Sequence, residues 1–507
     1  MKRLLILALT LALCLPLVGC VDAEDEEPEG FWEMEELAEP EEPAEEEPTV
    51  FTLPYLSSQS LNPITCSDGV QQMAASLLYE GLFTLDEGFT PQYALCSSYT
   101  HSGLSYTFTL REGVTFTDGS ALTPADVVAA YRRAQVSDRY AARFANISGI
   151  RAGRNAVILT LMKADSALPA LLDIPIIKSG TDKYPVPVGT GPYRFATDGK
   201  GDCLLRNESW WGDGAGLPER IALSAAKDAG AAAYLFSANR AHLLTADLLG
   251  DSPAASLGGV ALTDAATTTL YYLGFNAKKG AVTADKTLRA AMGAAIDREA
   301  IVASLLASHA DSARFPISPA SPLYPAALET AYASSGYAEA LNARLTGEAK
   351  PVELTLLVNE ESSLKTAMAD YLAKALTQGY VTVTVSALPW ADYVQALEGK
   401  AFDLCLAEVR LTADWNVAPL IAANGALNYG GFTDAATEAA LYAFLANENE
   451  TTAAAFYAKL AEEAPILPIA FKSVSFLTPV GRVDGLAPTQ AQPLNNLKNW
   501  SFHFDEA

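Results

Sequence analysis

The stretch from Val352 to Val409 constrains the fold more than any other part of the chain. "VELTLLV" (Val352 to Val358) reads as a strand, and "SLKTAMADYLAKAL" then places apolar residues at Leu364, Met368, Tyr371, Leu372 and Ala375, the spacing of one helical face. "VTVTV" (Val381 to Val385) follows as a second strand, then a helix holding Trp390 and Tyr393, then the strand "FDLCLAEV". Parallel neighbours cannot be joined by a tight turn, so a β-α-β-α-β order predicts a parallel sheet with crossover helices and puts the chain in the α/β class. At 507 residues the chain is too long for one core and long enough for two or three domains.

The N-terminal half has a different rhythm. "TVFTLPY" (Thr49 to Tyr55) reads as a first strand, and "QQMAASLLYEGLFTLD" as a helix running into a strand, with Met73, Leu77 and Leu78 facing a core. Tyr106–Leu110 and Val114–Thr117 flank Glu112-Gly113 and predict a hairpin. "LTPADVVAAYRRA" predicts a helix with Thr123 as N-cap, Pro124 at its first position, Asp126 near its positive end, and Val127, Tyr131 and Ala134 as the buried stripe. "TADKTLRAAMGAAIDREAIVASLL" predicts two helices, the second capped by Asp297.

"VGTGPYRF" (188–195) has the glycines of a phosphate-cradling loop but not its context. The residues after Gly191 alternate as a strand, so no helix N-terminus faces the loop. It reads instead as a rigid turn in which Gly189 and Gly191 adopt φ > 0 and Pro192 fixes its own φ, a device for a chain crossing between domains.

The first nineteen residues predict a secretion signal: Lys2 and Arg3 precede an apolar run from Leu4 to Val18 that is short for a membrane span. The run ends in "LVGC", which resembles the bacterial lipobox, and that resemblance makes Cys20 the lipidated residue after cleavage. From Asp22 to Glu47 come 15 acidic residues, no basic one and several prolines, the composition of a self-repelling, disordered tether. The whole chain carries a formal charge of −26, and the part beyond the tether stays acidic, which disfavours a nucleic-acid partner. Cys66, Cys96, Cys203 and Cys405 fit no zinc spacing, and four cysteines allow three full disulfide pairings between which the sequence does not choose.

Catalysis finds little support. The four histidines, His101, His242, His309 and His503, lie far apart in no ligand motif, and neither GxSxG nor HExxH occurs. An enzyme, a structural surface lipoprotein and a peptide-sensing receptor remain the rivals to a binding protein.

Five stretches in order carry a family resemblance: "LYEGLFTLD", "GLSYTFTLREGVTFTDGSALTPADVVAAYRRA", "VGTGPYRF", "YYLGFNAKKGAVTADKTLRAAMGAAIDREAIV" and "NYGGFTDAATEAAL". From about Leu78 to Leu441 the chain resembles the solute-binding proteins of peptide and nickel ABC importers, with "APILPIAF" adding weaker support. The resemblance implies an α/β, periplasmic-binding-protein-like two-lobed (Venus flytrap) fold of the cluster C type, with an extra inserted domain. It implies residues 49–85, 181–268 and 470–507 as lobe I, 86–180 as inserted domain II and 269–469 as lobe III, after a signal at 1–19 and a tether at 20–48. "VGTGPYRF" would then lie where the chain returns from the inserted domain.

The implied function is a lipid-anchored, monomeric receptor on the outer face of the cell membrane that captures a peptide-like solute, or a nickel chelate or other small solute, for the permease subunits. No resident cofactor and no metal ligands of its own are expected. In peptide-binding members an Asp-aromatic pair before a proline receives the ligand's ammonium, and Asp414 and Trp415 match that pattern ahead of Pro419. A carboxylate suits the task because an ammonium leaving water needs a charged, hydrogen-bonding partner. The family's Gly-Trp pair just before is replaced by Arg410 and Leu411, and Arg410 is a candidate for a ligand carboxylate. Asn428 and Tyr429 in "NYGGF", and Tyr79 and Glu80 in "YEGL", complete the candidate site, with an internal Arg as the alternative partner for Glu80.

Overall fold

A computed structural model describes residues 50–278, 280–332 and 351–504. The leader, Cys20 and the acidic tether lie outside the described residues.

The chain enters through β1 (Thr52–Leu56), every residue of which is buried. Asp68 then caps the helix Gly69–Ala75 by accepting from the Val70 amide. Met73, Leu77 and Leu78 are buried as their spacing predicts, but the helix ends at Ala75, so Leu77 and Leu78 pack from the turn beyond it. A short pair, β2 (Phe83–Leu85) with β3 (Pro91–Tyr93), leads into a four-stranded antiparallel sheet. That sheet comprises β4 (Cys96–Ser102), β5 (Ser105–Leu110), β6 (Ile147–Ala152) and β7 (Ala156–Leu161) in the order β4-β5-β7-β6.

The predicted hairpin is corrected here. Tyr106, Phe108 and Leu110 do alternate into the core, but β5 pairs with β4 and β7 and not with Val114–Thr117. Gly113 does turn, at φ +76°, yet the following segment makes only an isolated bridge from Thr115 to Ala121. The tight turn that serves β5 is at Gly103, φ +58°, reached from the polar edge strand β4. The helix Pro124–Ala134 packs its stripe Val127, Tyr131 and Ala134 against this sheet. The carboxylate of Asp126 accepts from the Thr123 amide at 3.0 Å and from its hydroxyl, closing the helix start.

The chain returns through "VGTGPYRF" to β8 (Tyr193–Asp198), β9 (Gly201–Arg206) and β10 (Arg220–Ala226), and β10 lies parallel to β1. Gly189 and Gly191 are not at positive φ, contrary to the sequence reading. They are needed for proximity: a Cβ on Gly189 would lie 2.1 Å from the Leu78 carbonyl oxygen, and one on Gly191 2.4 Å from that of Leu77. Gly191 N–H donates to the Leu78 carbonyl at 3.0 Å and Tyr193 N–H to that of Leu77 at 3.1 Å, so the two backbones touch with no room for side chains.

The largest sheet has seven strands. β11 (Leu244–Ala246), β12 (Val260–Phe275), β13 (Ala310–Ser312), β14 (Val352–Asn359), β15 (Val381–Leu388), β16 (Leu404–Arg410) and β17 (Ile466–Pro479) run β11-β17-β12-β16-β14-β15, with β13 also on β17. The predicted parallel unit is present: β14 lies parallel to β15 and β16, and the helices Ser363–Leu376 and Trp390–Glu398 cross over between them. Asp297 caps the helix Arg298–Ser304 by accepting from the Ala300 amide.

β12 and β17 are long because they serve both ends of this sheet. Their antiparallel register breaks between Ala266 and Leu270, where Thr267 donates its hydroxyl to the Lys472 carbonyl at 2.7 Å. On one side of the break β12 and β17 pair with each other beside β11, and on the other β12 also pairs with β16. Separate apolar clusters lie around the β4–β7 sheet, around β1 and β8–β10, and around the β12–β16 end. Cys66, Cys96, Cys203 and Cys405 are all buried free thiols.

Candidate functional site

A cavity of about 410 Å³ opens between the cluster around the β4–β7 sheet, the cluster around β1 and β8–β10, and a further one that holds Phe89, Leu411 and Trp415. Its wall draws Cys66 and Gln72 from beside β1, Arg139, Tyr140 and Arg143 from beyond the helix Pro124–Ala134, and Asp264–Thr268 less Thr267 from the register break. Arg410–Ala413 from the end of β16 and Pro488–Ala491 near the C-terminus complete it. The position follows from the topology, since the ends of parallel strands and the junctions between cores are where α/β folds leave clefts.

Charge on the wall is largely committed. Arg143 is ion-paired with Asp173, and its guanidinium lies over the Tyr140 ring at 5.1 Å. Arg139 stacks on the same ring at 5.3 Å and keeps its Nε buried without a partner among the described residues. Arg410 extends from β16 into the cavity and pairs with no side chain among the described residues. Burial pushes its pKa down, and Arg139 pushes in the same direction. Burial likewise brings Arg143 down to about 10, with Arg410 and Arg139 adding to the effect. Three guanidiniums thus repel one another in a chain of net charge −26. Such an arrangement is stabilised by an anion placed between them.

The acids on the wall are mostly satisfied within the protein. Asp86 accepts from the amides of Gly88 and Thr90, and Asp264 meets His309 at 2.9 Å and the Ser475 hydroxyl at 2.6 Å. Glu87 is exposed on the wall and pairs with no side chain among the described residues.

Of the residues singled out from the sequence, the wall includes Arg410. Asp414 is 2% exposed and sits behind it, accepting from the Thr412 hydroxyl and, at 3.3 Å, from the Asn416 amide. Burial holds its carboxyl above the usual range, against those hydrogen bonds and the nearby Arg143. Trp415 is a core residue at φ +52°, edge-on to Phe89 at 5.2 Å and to Phe471 at 6.0 Å. Asn428 ties its own loop, donating to the carbonyls of Ala422 and Phe432 and accepting from the Phe432 amide. Tyr429 packs beside Leu357 and Tyr393. The Tyr79 hydroxyl donates to the Pro187 carbonyl at 2.9 Å.

Glu80 makes no ion pair with an arginine among the described residues. Its carboxylate accepts from Trp210 Nε1 at 3.1 Å, Trp211 Nε1 at 3.0 Å and the Thr190 hydroxyl at 2.9 Å, while Arg111 stacks on Trp211 at 4.1 Å. Burial raises its pKa from 4.5 to about 7, partly offset by those hydrogen bonds and by Arg111. An acid raised in the folded state binds its proton there more tightly than when unfolded. The stability it lends is therefore full below about pH 4.5 and lost as the pH climbs through about 7. Tryptophan fluorescence should titrate with a midpoint near 7 as the proton leaves the carboxyl between the two indoles. Roughly 1–3 kcal/mol of stability should go with it between pH 5 and 8. Glu80→Gln should flatten both curves, and a fluorescence midpoint that survives in Glu80→Gln would assign the titration to another group.

Sequence reasoning missed Arg139, Arg143 and Tyr140. They lie in "SDRYAARF", a polar run with the look of a solvated surface, and only tertiary folding brings them opposite Arg410.

The model for bacterial extracellular solute-binding proteins, family 5 (middle region) matches residues 89–427. A 153-residue segment is 35% identical to the glutathione-binding protein GsiB of Salmonella typhi, and covers 27% of this chain and 30% of that protein. The match thus spans under a third of the length of the curated relative. Among solved structures, the oligopeptide-binding protein AppA of Bacillus subtilis, in complex with a nonapeptide, is 20% identical with a TM-score of 0.58, over 90% of this chain and 97% of that one. NikZ of Campylobacter jejuni, in complex with Ni(L-His), is 20% identical with a TM-score of 0.60, over 90% of this chain and all of that one. The two-lobed α/β fold is therefore shared, across neighbours whose ligands differ. With more than half its length matched by the family model, the chain belongs to the bacterial extracellular solute-binding proteins of family 5.

Proposed function

We propose that this chain is the lipid-anchored receptor of an ABC importer and captures a small, peptide-like solute through its carboxylate. The supporting observation is the convergence of Arg139, Arg143 and Arg410 on one cavity, with Arg410 unpaired among the described residues. A bidentate guanidinium–carboxylate pair in a partly desolvated site is both strong and directional. Glu87, exposed on the same wall, supplies a carboxylate for the ammonium of a zwitterionic solute. Asp414 acts from behind, holding the turn from Thr412 to Asn416 that follows Arg410.

The register break at Ala266–Leu270 is the natural hinge, because the strands that cross between the two ends of the sheet lose their ladder there. The cavity wall includes Ala266 and Thr268, so bending at the break changes the width of the cleft. "LVGC" and the acidic stretch after it support a lipid on Cys20 and a tether that keeps the lobes clear of the membrane.

The direct test is native mass spectrometry of the gently purified mature protein. A bound solute bearing a carboxylate is expected, and subsequent failure to bind any peptide, carboxylate chelate or sugar would overturn the reading. The anchor has its own check: Cys20→Ser should remove the diacylglycerol mass and release the protein from the membrane fraction. Unchanged membrane retention would rule out Cys20 as the anchor.

A further inference from the structure

A loop that follows β7 seats itself on the turn between two late helices, near the back of the cavity wall. The Ser166 amide donates to the Leu445 carbonyl at 2.8 Å, its hydroxyl donates to the same oxygen at 3.2 Å, and that hydroxyl accepts from the Glu448 amide at 2.8 Å. Lys163 lies 3.6 Å from the centre of the Tyr442 ring beside it. Ser166 belongs to the chain leaving the β4–β7 sheet. Leu445 lies at the end of the helix Ala435–Ala446, and Glu448 lies in the turn to the helix Glu450–Glu463; both helices pack with β12 and β17.

Three buried carboxylic acids from different elements act on one another here: Asp414 on Asp165, and both on Glu448. Asp165 comes from the docked loop and is 2% exposed, with the Ala167 amide donating to it at 3.0 Å and the Tyr106 hydroxyl donating to its carbonyl. Asp414, also 2% exposed, comes from the loop after β16. Glu448 comes from the facing turn, and its Oε1 is buried with no partner among the described residues. The remaining polar groups facing them are few. The Thr412 hydroxyl and Asn416 amide serve Asp414, and the Tyr457 hydroxyl, without a partner among the described residues, lies toward Glu448. The cation acting on Asp414 is Arg143, itself tied to Asp173 with Arg139 and Arg410 beyond it; Lys163 is engaged with Tyr442.

We infer that this junction is a proton-operated latch: docking of the Ser166 loop on the Leu445–Glu448 turn requires proton uptake by the acids Asp165, Asp414 and Glu448, and their ionisation releases it. Three ionised carboxylates cannot share a dry junction, because each loses its hydration and repels the other two. Burial and then Asp414 raise Asp165 to about 8, and burial with Asp414 and Asp165 raises Glu448 to about 9. With the junction open, all three return toward ordinary carboxylate values. Docking is therefore strongest at acid pH and weakens progressively as the pH rises through about 8 and 9. The inference rests on the two-lobed fold and not on the identity of any solute.

The test reads the distance across the junction in solute-free, dialysed protein. Spin labels on Ser148→Cys and Ala439→Cys, both exposed, report from the two sides, and the four native cysteines of the folded body are buried. At pH 5.5 a single short distance is expected, and at pH 9 at least half of the population should move to a longer one. Asp165→Asn combined with Glu448→Gln should keep the short distance at both pH values. Asp165→Asn alone should shift less than the parent, which decides the matter if the double variant does not fold. A parent distance unchanged between the two pH values, or neutralised variants that shift as the parent does, would overturn the latch.

Discussion

Arg410→Glu is expected to weaken solute capture at least ~100-fold, about 3 kcal/mol, while leaving the fold in place. The effect is large because the substitution removes a cation on the cavity wall that is unpaired among the described residues, and puts a carboxylate where the solute's own carboxylate would lie. Stability should hold or rise slightly, because the new acid sits near Arg139 and Arg143, two guanidiniums that now repel Arg410. Calorimetric titration beside a thermal melt separates the two quantities. A variant that melts as the parent does and still binds with unchanged affinity would remove Arg410 from the site. Arg410→Lys should retain binding only in part, since an ammonium keeps the charge but not the planar fork.

The second large effect is structural. Gly189→Ala should destabilise the protein by ~3 kcal/mol or more, because its Cβ would lie 2.1 Å from the Leu78 carbonyl oxygen and 2.5 Å from the Tyr79 ring. The backbone would have to part at the hydrogen bond from Gly191 to Leu78, beside the Thr190 hydroxyl that supports Glu80. Gly199→Ala is the matched control, since nothing lies within 4 Å of its Cβ position and its φ is not in the left-handed region. Chemical denaturation of the two variants should give a large loss for the first and a change within ~0.5 kcal/mol for the second. Equal, small losses would show that the chain absorbs the clash at no cost.

Where periodicity or capping chemistry was strong, local structure could be read directly. The crossover unit from Val352 to Arg410 announces itself by two changes of period, and Thr123 and Asp297 mark their helix starts by residue type alone. Strand β4 could not be read that way. "CSSYTHS" is a largely solvated edge with a single buried residue, so nothing alternates, and the neighbouring glycine turn attracted the prediction instead. The glycines of "VGTGPYRF" were recognisable as architectural, but the requirement is the closeness of a segment a hundred residues earlier, which no local rule contains.

The site was less legible than the fold for a related reason. Arg410 stands at a strand end, where side chains of an α/β sheet reach the cleft, and its place in the family's motif pointed to it. Asp414 sits four residues on, inside a turn closed by the Trp415 amide on the Thr412 carbonyl, and that turn carries it behind the wall. Glu80 meets Trp210 and Trp211 across 130 residues of sequence, a separation at which residue type gives no hint of pairing.

Equilibrium titration of the solute-free protein with short peptides, each with a free and an amidated C-terminus, tests carboxylate capture most directly. Free-carboxylate peptides should bind, their amides should bind at least tenfold more weakly, and Arg410→Glu should erase the difference. Equal affinity for free and amidated forms in the parent protein would contradict the role given to the arginine-lined cavity.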